Sequence, residues 1–405
     1  MAQSISQEAI AVTGQIGAQA ASRYAGATVL GPPTTGSFLL GDYVVDQTGG
    51  IWICTVAGSP GTWVRGGFPI NENVAGKNFV INGNMDIWQR GAGPFYTASG
   101  AIYSVDQWTY TQGASGGTGT MNLTMNQSTN VPSGSSAKYS LLTTITGAYS
   151  GTLVEVASRQ KYEAQHIRPL QGLPVTVSFW YYSNVSGSHG VRIGFDTNNS
   201  GTFTNNSSYA FNYPTINTWQ YVTQTFTNLI GFSMGTQNDN AFSAFLDIGP
   251  RVGGTQGQTT VTSGNTWSLA QVQMEAGNTA TPFSRAGGTY WGEYQLCLPY
   301  YEQYNSEFVG RPDQIDVANR PEFIVTYYNK RTAPTITVTN ASNIVWNSLT
   351  SSSGANTTSF GGAYLGTYSH SADLFFNTAS GIVAYGMYAP VTAQGSYSIN
   401  ISAEL

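Results

Sequence analysis

Six carboxylates lie between residues 288 and 322: Glu293, Glu302, Glu307, Asp313, Asp316 and Glu322. The chemistry this dense supply of acids could do is glycoside hydrolysis, which needs two carboxyl groups about 5 to 10 Å apart, one of them with a raised pKa. Their spacing does not repeat, and Tyr, Asn and Pro are interleaved with them, so the stretch reads as a solvated connector. The histidines His166, His189 and His370 fall in different segments, and no Gly-x-Ser-x-Gly elbow precedes a helix. Neither His-Glu-x-x-His nor Gly-x-x-x-x-Gly-Lys occurs. Cys54 and Cys297 are far apart and build neither a disulfide framework nor a multi-cysteine zinc site, so both read as packed thiols. No enzymatic activity is expected.

The elements that would position any site are strands. Charged residues are 9% of the chain, against roughly 25% in ordinary soluble proteins. The 48 glycines, 25 tyrosines and abundant Ser, Thr and Asn disfavour long helices and favour strands joined by tight turns, so the fold class is all-β. A length of 405 residues implies more than one domain. The formal charge of -5, with no basic stripe, excludes a nucleic-acid surface. No stretch approaches about 20 apolar residues, so membrane insertion is not expected. The start "MAQSISQEAIAV" lacks the basic and apolar regions of a classical signal peptide. Asn-x-Ser/Thr triplets, at Asn122, Asn184 and Asn340 among others, are a chance product of this composition.

Along the chain, Ile5, Ala9, Val12 and Ile16 recur at spacings of four, three and four, which predicts a short helix within residues 1–30. Residues 31–66 form a small β-unit, with "GDYVVD" and "GIWICTV" as strands around a "QTGG" turn. A unit of this size leans on copies of itself or on a partner. Residues 67–287 alternate apolar and polar positions in "PVTVSFWYYSN", "VRIGFDT", "WQYVTQTF", "AFLDIG" and "WSLAQVQME", the pattern of a jelly-roll β-sandwich. Residues 288–322 are the connector, and residues 323–405 alternate again to form a C-terminal β-sandwich tip.

The blocks "NFVINGNMDIWQRG", "YSVDQW", "VQMEAGNTATPF" and "YQLCLPYYEQY", with a terminal "ISAEL", occur in an order that resembles bacteriophage and prophage virion proteins of the fibre or receptor-binding kind. The stretch from Gly31 to Val64 resembles a module common near the N-termini of such proteins. Gln107 and Pro299 stand where relatives tend to carry arginine. The resemblance implies a homotrimeric appendage in the virion, with an attachment segment over residues 1–30 that contacts tail, portal or capsid-vertex proteins. It also implies a jelly roll similar to carbohydrate-binding modules, a trimerising C-terminal domain, and host cell-surface polysaccharide as the partner. A head fibre or capsid decoration protein is the alternative. It further implies that "INGNMDIWQ" is the first strand of the jelly roll and "WSLAQVQMEAG" its last. No cofactor is expected beyond a structural calcium near that junction, with Asn84, Asp86 and Glu275 as oxygen ligands; otherwise Asn84 makes a turn and Asp86 pairs with Arg90 or caps a turn.

Glycan binding needs aromatic rings for stacking and amide, carboxylate or hydroxyl groups for hydrogen bonds. The candidates are Trp180 and Tyr182 on one face of "VTVSFWYYSN", with Asn184, Asp196 and Asn198 in adjoining loops. Alternation leaves open which face of that strand is the core. The C-terminal stretch "WNSLTSSSGANTTSFGGAYLGTYSHS" offers a second set of recognition loops.

Overall fold

A computed structural model of the protein describes residues 23–405, except 30, 48, 67–74, 98–101, 116–121, 148–151, 197–202, 204, 228–238, 253–259, 306–309, 313–319, 349–353, 366–369, 379–387 and 393–396. The expected N-terminal helix lies outside the described residues. The chain divides into two compact units, Met1–Glu72 and Asn73–Leu405. The first is a four-stranded sheet of β1 (Tyr24–Thr28), β2 (Tyr43–Asp46), β3 (Ile51–Val56) and β4 (Thr62–Gly66), in that order. Strands β2 and β3 form the predicted hairpin. Asp46 closes its turn by accepting the Gly50 N–H at 2.8 Å and the Trp52 indole N–H at 2.9 Å.

The second unit opens with a β-sandwich of eleven strands: β5 (Phe95–Thr97), β6 (Trp108–Ser115), β7 (Leu123–Ser128), β8 (Ser140–Ile145), β9 (Thr152–Glu163), β10 (Val175–Ser183), β11 (Gly187–Phe195), β12 (Asn205–Tyr213), β13 (Gln220–Phe226), β14 (Phe242–Arg251) and β15 (Thr266–Ala276). One sheet runs β13-β10-β15-β8-β7-β5 and the other β12-β11-β14-β9-β6. From β9 onward the chain crosses repeatedly from sheet to sheet, as in a jelly roll. The core between the sheets holds Phe179, Tyr181, Ile193, Leu246, Trp267 and Leu269.

A short helix α1 (Ala164–Ile167) follows β9, and a second, α2 (Tyr290–Cys297), follows the sandwich. Beyond it come β16 (Tyr301–Asn305), β17 (Gly310–Pro312), β18 (Glu322–Thr326), β19 (Thr335–Thr339), β20 (Ile344–Ser348), β21 (Gly354–Leu365), β22 (Ser371–Thr378), β23 (Tyr388–Thr392) and β24 (Ser398–Ser402). They form sheets β16-β24-β19 and β17-β18-β22-β21-β20-β23 around Trp346, Leu374, Phe376 and Ile399. The all-β expectation holds.

Two local expectations do not. The stretch "INGNMDIWQ" is not a strand: residues 80–84 are bends and turns, with Asn82 and Met85 at φ 57° and 56°. The polar side chains of this stretch are used to satisfy backbone groups in place of a ladder. Asn82 donates to the Ile87 and Asp106 carbonyls (2.9 and 3.0 Å) and accepts from the Asp86 and Ile87 N–H groups. Asn78 donates to the Val272 and Ser284 carbonyls, and Val272 N–H donates to the Gly83 carbonyl at 2.8 Å. The domain's ends do meet here, through a turn seated on the bulge that Gln271 (φ 49°) makes in β15.

The acids of 288–322 are also not a solvated stretch where they are described. Glu293 is 1% exposed and accepts the Asn82 and Gly287 N–H groups. Glu302 is buried against Lys330 at 2.9 Å, and Glu322 is buried and ion-paired with Arg320. Each is drawn inside because it meets cationic or N–H groups that would otherwise be unsatisfied. Glu307, Asp313 and Asp316 lie outside the described residues.

Burial pushes the carboxyls of Asp106 and Glu293 up to about 7. A carboxyl raised on folding stabilises most below its unfolded pKa near 4, and that contribution is lost as pH rises through about 7. Melting temperature should therefore fall between pH 5 and pH 8, with Asp106→Asn and Glu293→Gln flattening the slope. A melting temperature that rises over that range would contradict this.

Candidate functional site

The side chains of β10 divide cleanly. Val175, Val177, Phe179 and Tyr181 face the core, while Trp180 and Tyr182 are half-buried on the outer face of the six-stranded sheet. Their neighbours on edge strand β13 complete the surface. Trp180 lies opposite Tyr221 with ring centroids 5.2 Å apart, and Tyr182 meets Trp219, just before β13, at 5.4 Å. Two aromatic pairs thus stand two residues apart along the strands, roughly 7 Å. Tyr221 is 44% exposed. On the other flank, small residues of β15 oppose them, Ala270 beside Trp180 and Ser268 beside Tyr182.

The turn carrying Trp219 is fixed from beneath. The buried Tyr213 hydroxyl donates to the Thr218 carbonyl at 2.6 Å and accepts the Ser183 and Thr218 N–H groups at 2.9 and 3.2 Å. Asn217, in the left-handed region at φ 58°, donates its N–H to the Ser183 carbonyl at 2.7 Å and accepts from Tyr182 Oη at 3.4 Å. The Trp219 indole N–H donates to Asn130 Oδ1 at 3.1 Å. The result is an aromatic platform edged by amides. Rings in this setting can stack on the apolar face of a pyranose while amides meet its hydroxyls.

Of the five residues expected to bind, the structure brings Trp180 and Tyr182 together on this platform. Asn184 follows them, but its side chain bonds the Gly264 carbonyl and the Thr266 N–H, tying the end of β10 to the turn before β15. Asp196 is elsewhere: it follows β11 in the other sheet and is 1% exposed, so it offers no surface. Asn198 lies outside the described residues. Trp219 and Tyr221 were not singled out by sequence reasoning. The signal was present, since "TWQYVTQTF" repeats the i, i+2 aromatic pair of "FWYYS", with Val222 and Phe226 as the buried alternates.

The calcium trio does not fit a metal. Asp86 is ion-paired with Arg285 at 2.7 Å, not with Arg90, and Asn84 turns its amide nitrogen toward Asp86 at 3.0 Å. Glu275 accepts from Thr281 N–H and Oγ1 and from Gln273. A guanidinium and N–H donors already neutralise these carboxylates, and a divalent ion would have to displace them. Among the described residues no group of three or more His, Cys, Asp or Glu could hold a metal.

The outer face of the five-stranded sheet carries a different constellation. Arg159 and Arg192 contact Asp247 at 2.7 and 2.6 Å, and Arg192 also contacts Glu155 at 2.6 Å. Both guanidinium groups lie over the Phe245 ring. Asp247 is 0% exposed and Phe245 3%, so this network closes on itself. His189 is likewise internal, bonded to Tyr181 Oη and the Val185 carbonyl, and burial lowers its pKa to about 4.

No protein-family model and no curated protein matches the sequence. Among solved structures, the chain is similar to the enzymatically active domain of tailspike protein 4 of bacteriophage CBA120, at 14% identity and a TM-score of 0.29, over 49% of this chain and 21% of that one. The chain thus spans about one fifth of that tailspike's length. It is also similar to the CBM22-1 xylan-binding domain of Paenibacillus barcinonensis Xyn10C, at 10% identity and a TM-score of 0.28, over 51% and 98% of the two chains. The family 11 carbohydrate-binding module of a Clostridium thermocellum cellulosomal cellulase is similar at 10% identity and a TM-score of 0.26, over 47% and 97%.

Proposed function

We propose that this chain is a non-catalytic adhesin of a bacteriophage virion: a homotrimeric fibre protein that holds host surface glycans on the outer face of its six-stranded sheet. The observation that carries the binding role is the half-exposed aromatic platform of Tyr182, Trp219, Trp180 and Tyr221, carried by β10 and by β13 with the turn before it, and braced by Tyr213. The virion setting is supported by the order of the sequence blocks described above. In this reading residues 1–66 dock on the particle and residues 323–405 form a trimerising tip. Three weak sites on one rigid body would gain avidity of about a hundredfold or more over a single site.

Biolayer interferometry on immobilised host envelope polysaccharide tests the binding role. Trp180→Ala combined with Tyr221→Ala removes two stacking rings at about 0.5–1.5 kcal/mol each, so binding should weaken by about tenfold with the melting temperature little changed. Equal binding by the double variant would overturn the platform. Light scattering tests the assembly: three copies of the 43.2 kDa chain are expected, and a lone chain would refute the trimer.

A further inference from the structure

The seam between the sandwich and the C-terminal sheets holds a cleft of about 540 Å³ that shares no residue with the aromatic platform. Its volume falls in the range of small-molecule sites, roughly 300–1,000 Å³, and clefts between packed substructures are a preferred place for them. One wall is Glu163, Gln165 and His166 at α1. The others come from Asn240 before β14, from Pro299 and Tyr300 after α2, and from the turn Tyr328–Arg331 after β18.

We propose that this cleft is a second binding site, for a neutral polyhydroxylated ligand the size of a sugar ring. Charge selects the class. The carboxylate of Glu163 is bonded to the Arg331 guanidinium, and Glu302 is bonded to Lys330. Each charge is already balanced inside the wall: an anionic ligand would face Glu163, and a cationic one would face Arg331 and Lys330. Arg331 is held in the wall, since Nε donates to Glu163, Nη1 to the Ala403 carbonyl at 3.2 Å and Nη2 to the Asn240 carbonyl, three of its five N–H donors.

The rest of the wall adds uncharged hydrogen-bond acceptors. Gln165 uses its amide nitrogen on Glu163 and Asn240, both at 2.9 Å, so its carbonyl oxygen is what it presents to the cleft. His166 Nε2 donates to the Phe79 carbonyl at 2.8 Å, leaving Nδ1 as an acceptor on a ring that burial keeps neutral. Acceptors without free charge match the hydroxyls of a sugar. Tyr328, 43% exposed at the rim, supplies a ring face for its C–H side.

The site stands independently of the platform, and one experiment separates the two. Saturation-transfer NMR would be run on the full-length protein with the methyl glycosides of glucose, galactose, mannose, rhamnose and N-acetylglucosamine, and with methyl glucuronoside as the anionic control. The proteins compared are the wild type, the platform variant Trp180→Ala/Tyr221→Ala, and that platform variant with Tyr328→Ala or Gln165→Trp added. The expected result is that at least one neutral glycoside still binds the platform variant, that Tyr328→Ala weakens this binding at least fivefold, and that Gln165→Trp abolishes it. Tyr328→Ala alters a rim residue, and equal melting temperatures would show that its fold is intact. If no neutral glycoside binds the platform variant, or if adding Tyr328→Ala or Gln165→Trp to that variant leaves its binding unchanged, the cleft proposal fails whether or not the platform binds. Preferred binding of the glucuronoside in the cleft would also overturn it.

Discussion

Arg90→Met will lower the unfolding free energy by about 3 to 5 kcal/mol at pH 8, the usual cost of leaving buried charge without its partner. The guanidinium is the shared cation of two carboxylates, at 2.6 Å from Glu404 and 3.5 Å from Asp106, and it lies 3.4 Å over the Tyr301 ring. Asp106 is 0% exposed and the Glu404 side chain 8%. Methionine keeps much of the volume and the ring contact but none of the charge. Burial already raises both carboxyls, so without Arg90 they take up protons more readily. The deficit should shrink at pH 5, where Asp106 is protonated in either protein. Urea melts at the two pH values decide it: an equal loss at both would assign the effect to packing and remove the electrostatic account.

The same region joins the tip to the sandwich. Arg331 bonds the Ala403 carbonyl, Ala403 N–H donates to the Tyr300 carbonyl at 2.7 Å, and Lys161 Nζ donates to the Leu405 oxygen at 2.6 Å. Loss of Arg90 therefore loosens the contact between the segment after β24 and the sandwich, as well as the pocket around Asp106.

Gly83→Ala is expected to cost as much or more, about 3 kcal/mol at least, because the conflict is with backbone. A Cβ at position 83 would stand 2.1 Å from the Val272 carbonyl oxygen, so the turn must withdraw from β15. Withdrawal breaks the Val272–Gly83 hydrogen bond and strains those that Asn78 makes to the same strand. Gly134→Ala is the control: Gly134 has open space around it, though its φ of 75° carries a strain of its own. A Gly83→Ala protein no less stable than Gly134→Ala would show that the turn is not wedged against β15 as described.

This junction explains what the sequence could reveal. Period-two alternation in "VTVSFWYYSN" and "WSLAQVQME" marked β10 and β15 because a sheet with one face in the core must alternate. Alternation could not say which face was covered, because Thr176 and Ser178, on the outer side, are as buried as Val175 and Val177. The aromatic pairing across β10 and β13 was half legible: "FWYYS" and "TWQYV" each show an i, i+2 pair, but only the register Trp180↔Tyr221 places them together. The strand that the resemblance implies over residues 81–89 is absent: Ile81, Met85 and Ile87 are apolar and buried, but the left-handed Asn82 and Met85 break the pleat, and neither leaves a signal in a period-two pattern. The burial of Glu293 was also hidden, because its partners are the backbone N–H groups of Asn82 and Gly287, far away in sequence or invisible to side-chain type.

The most direct test of the glycan-binding account is a crystal structure of the protein with an oligosaccharide cut from the host envelope polysaccharide. The account predicts sugar rings stacked on Trp180 and Tyr221, within about 4 Å of the aromatic carbons, with hydroxyls reaching the amides that edge the platform. An oligosaccharide seated on the Arg159–Asp247–Arg192 face, with the aromatic platform bare, would contradict it.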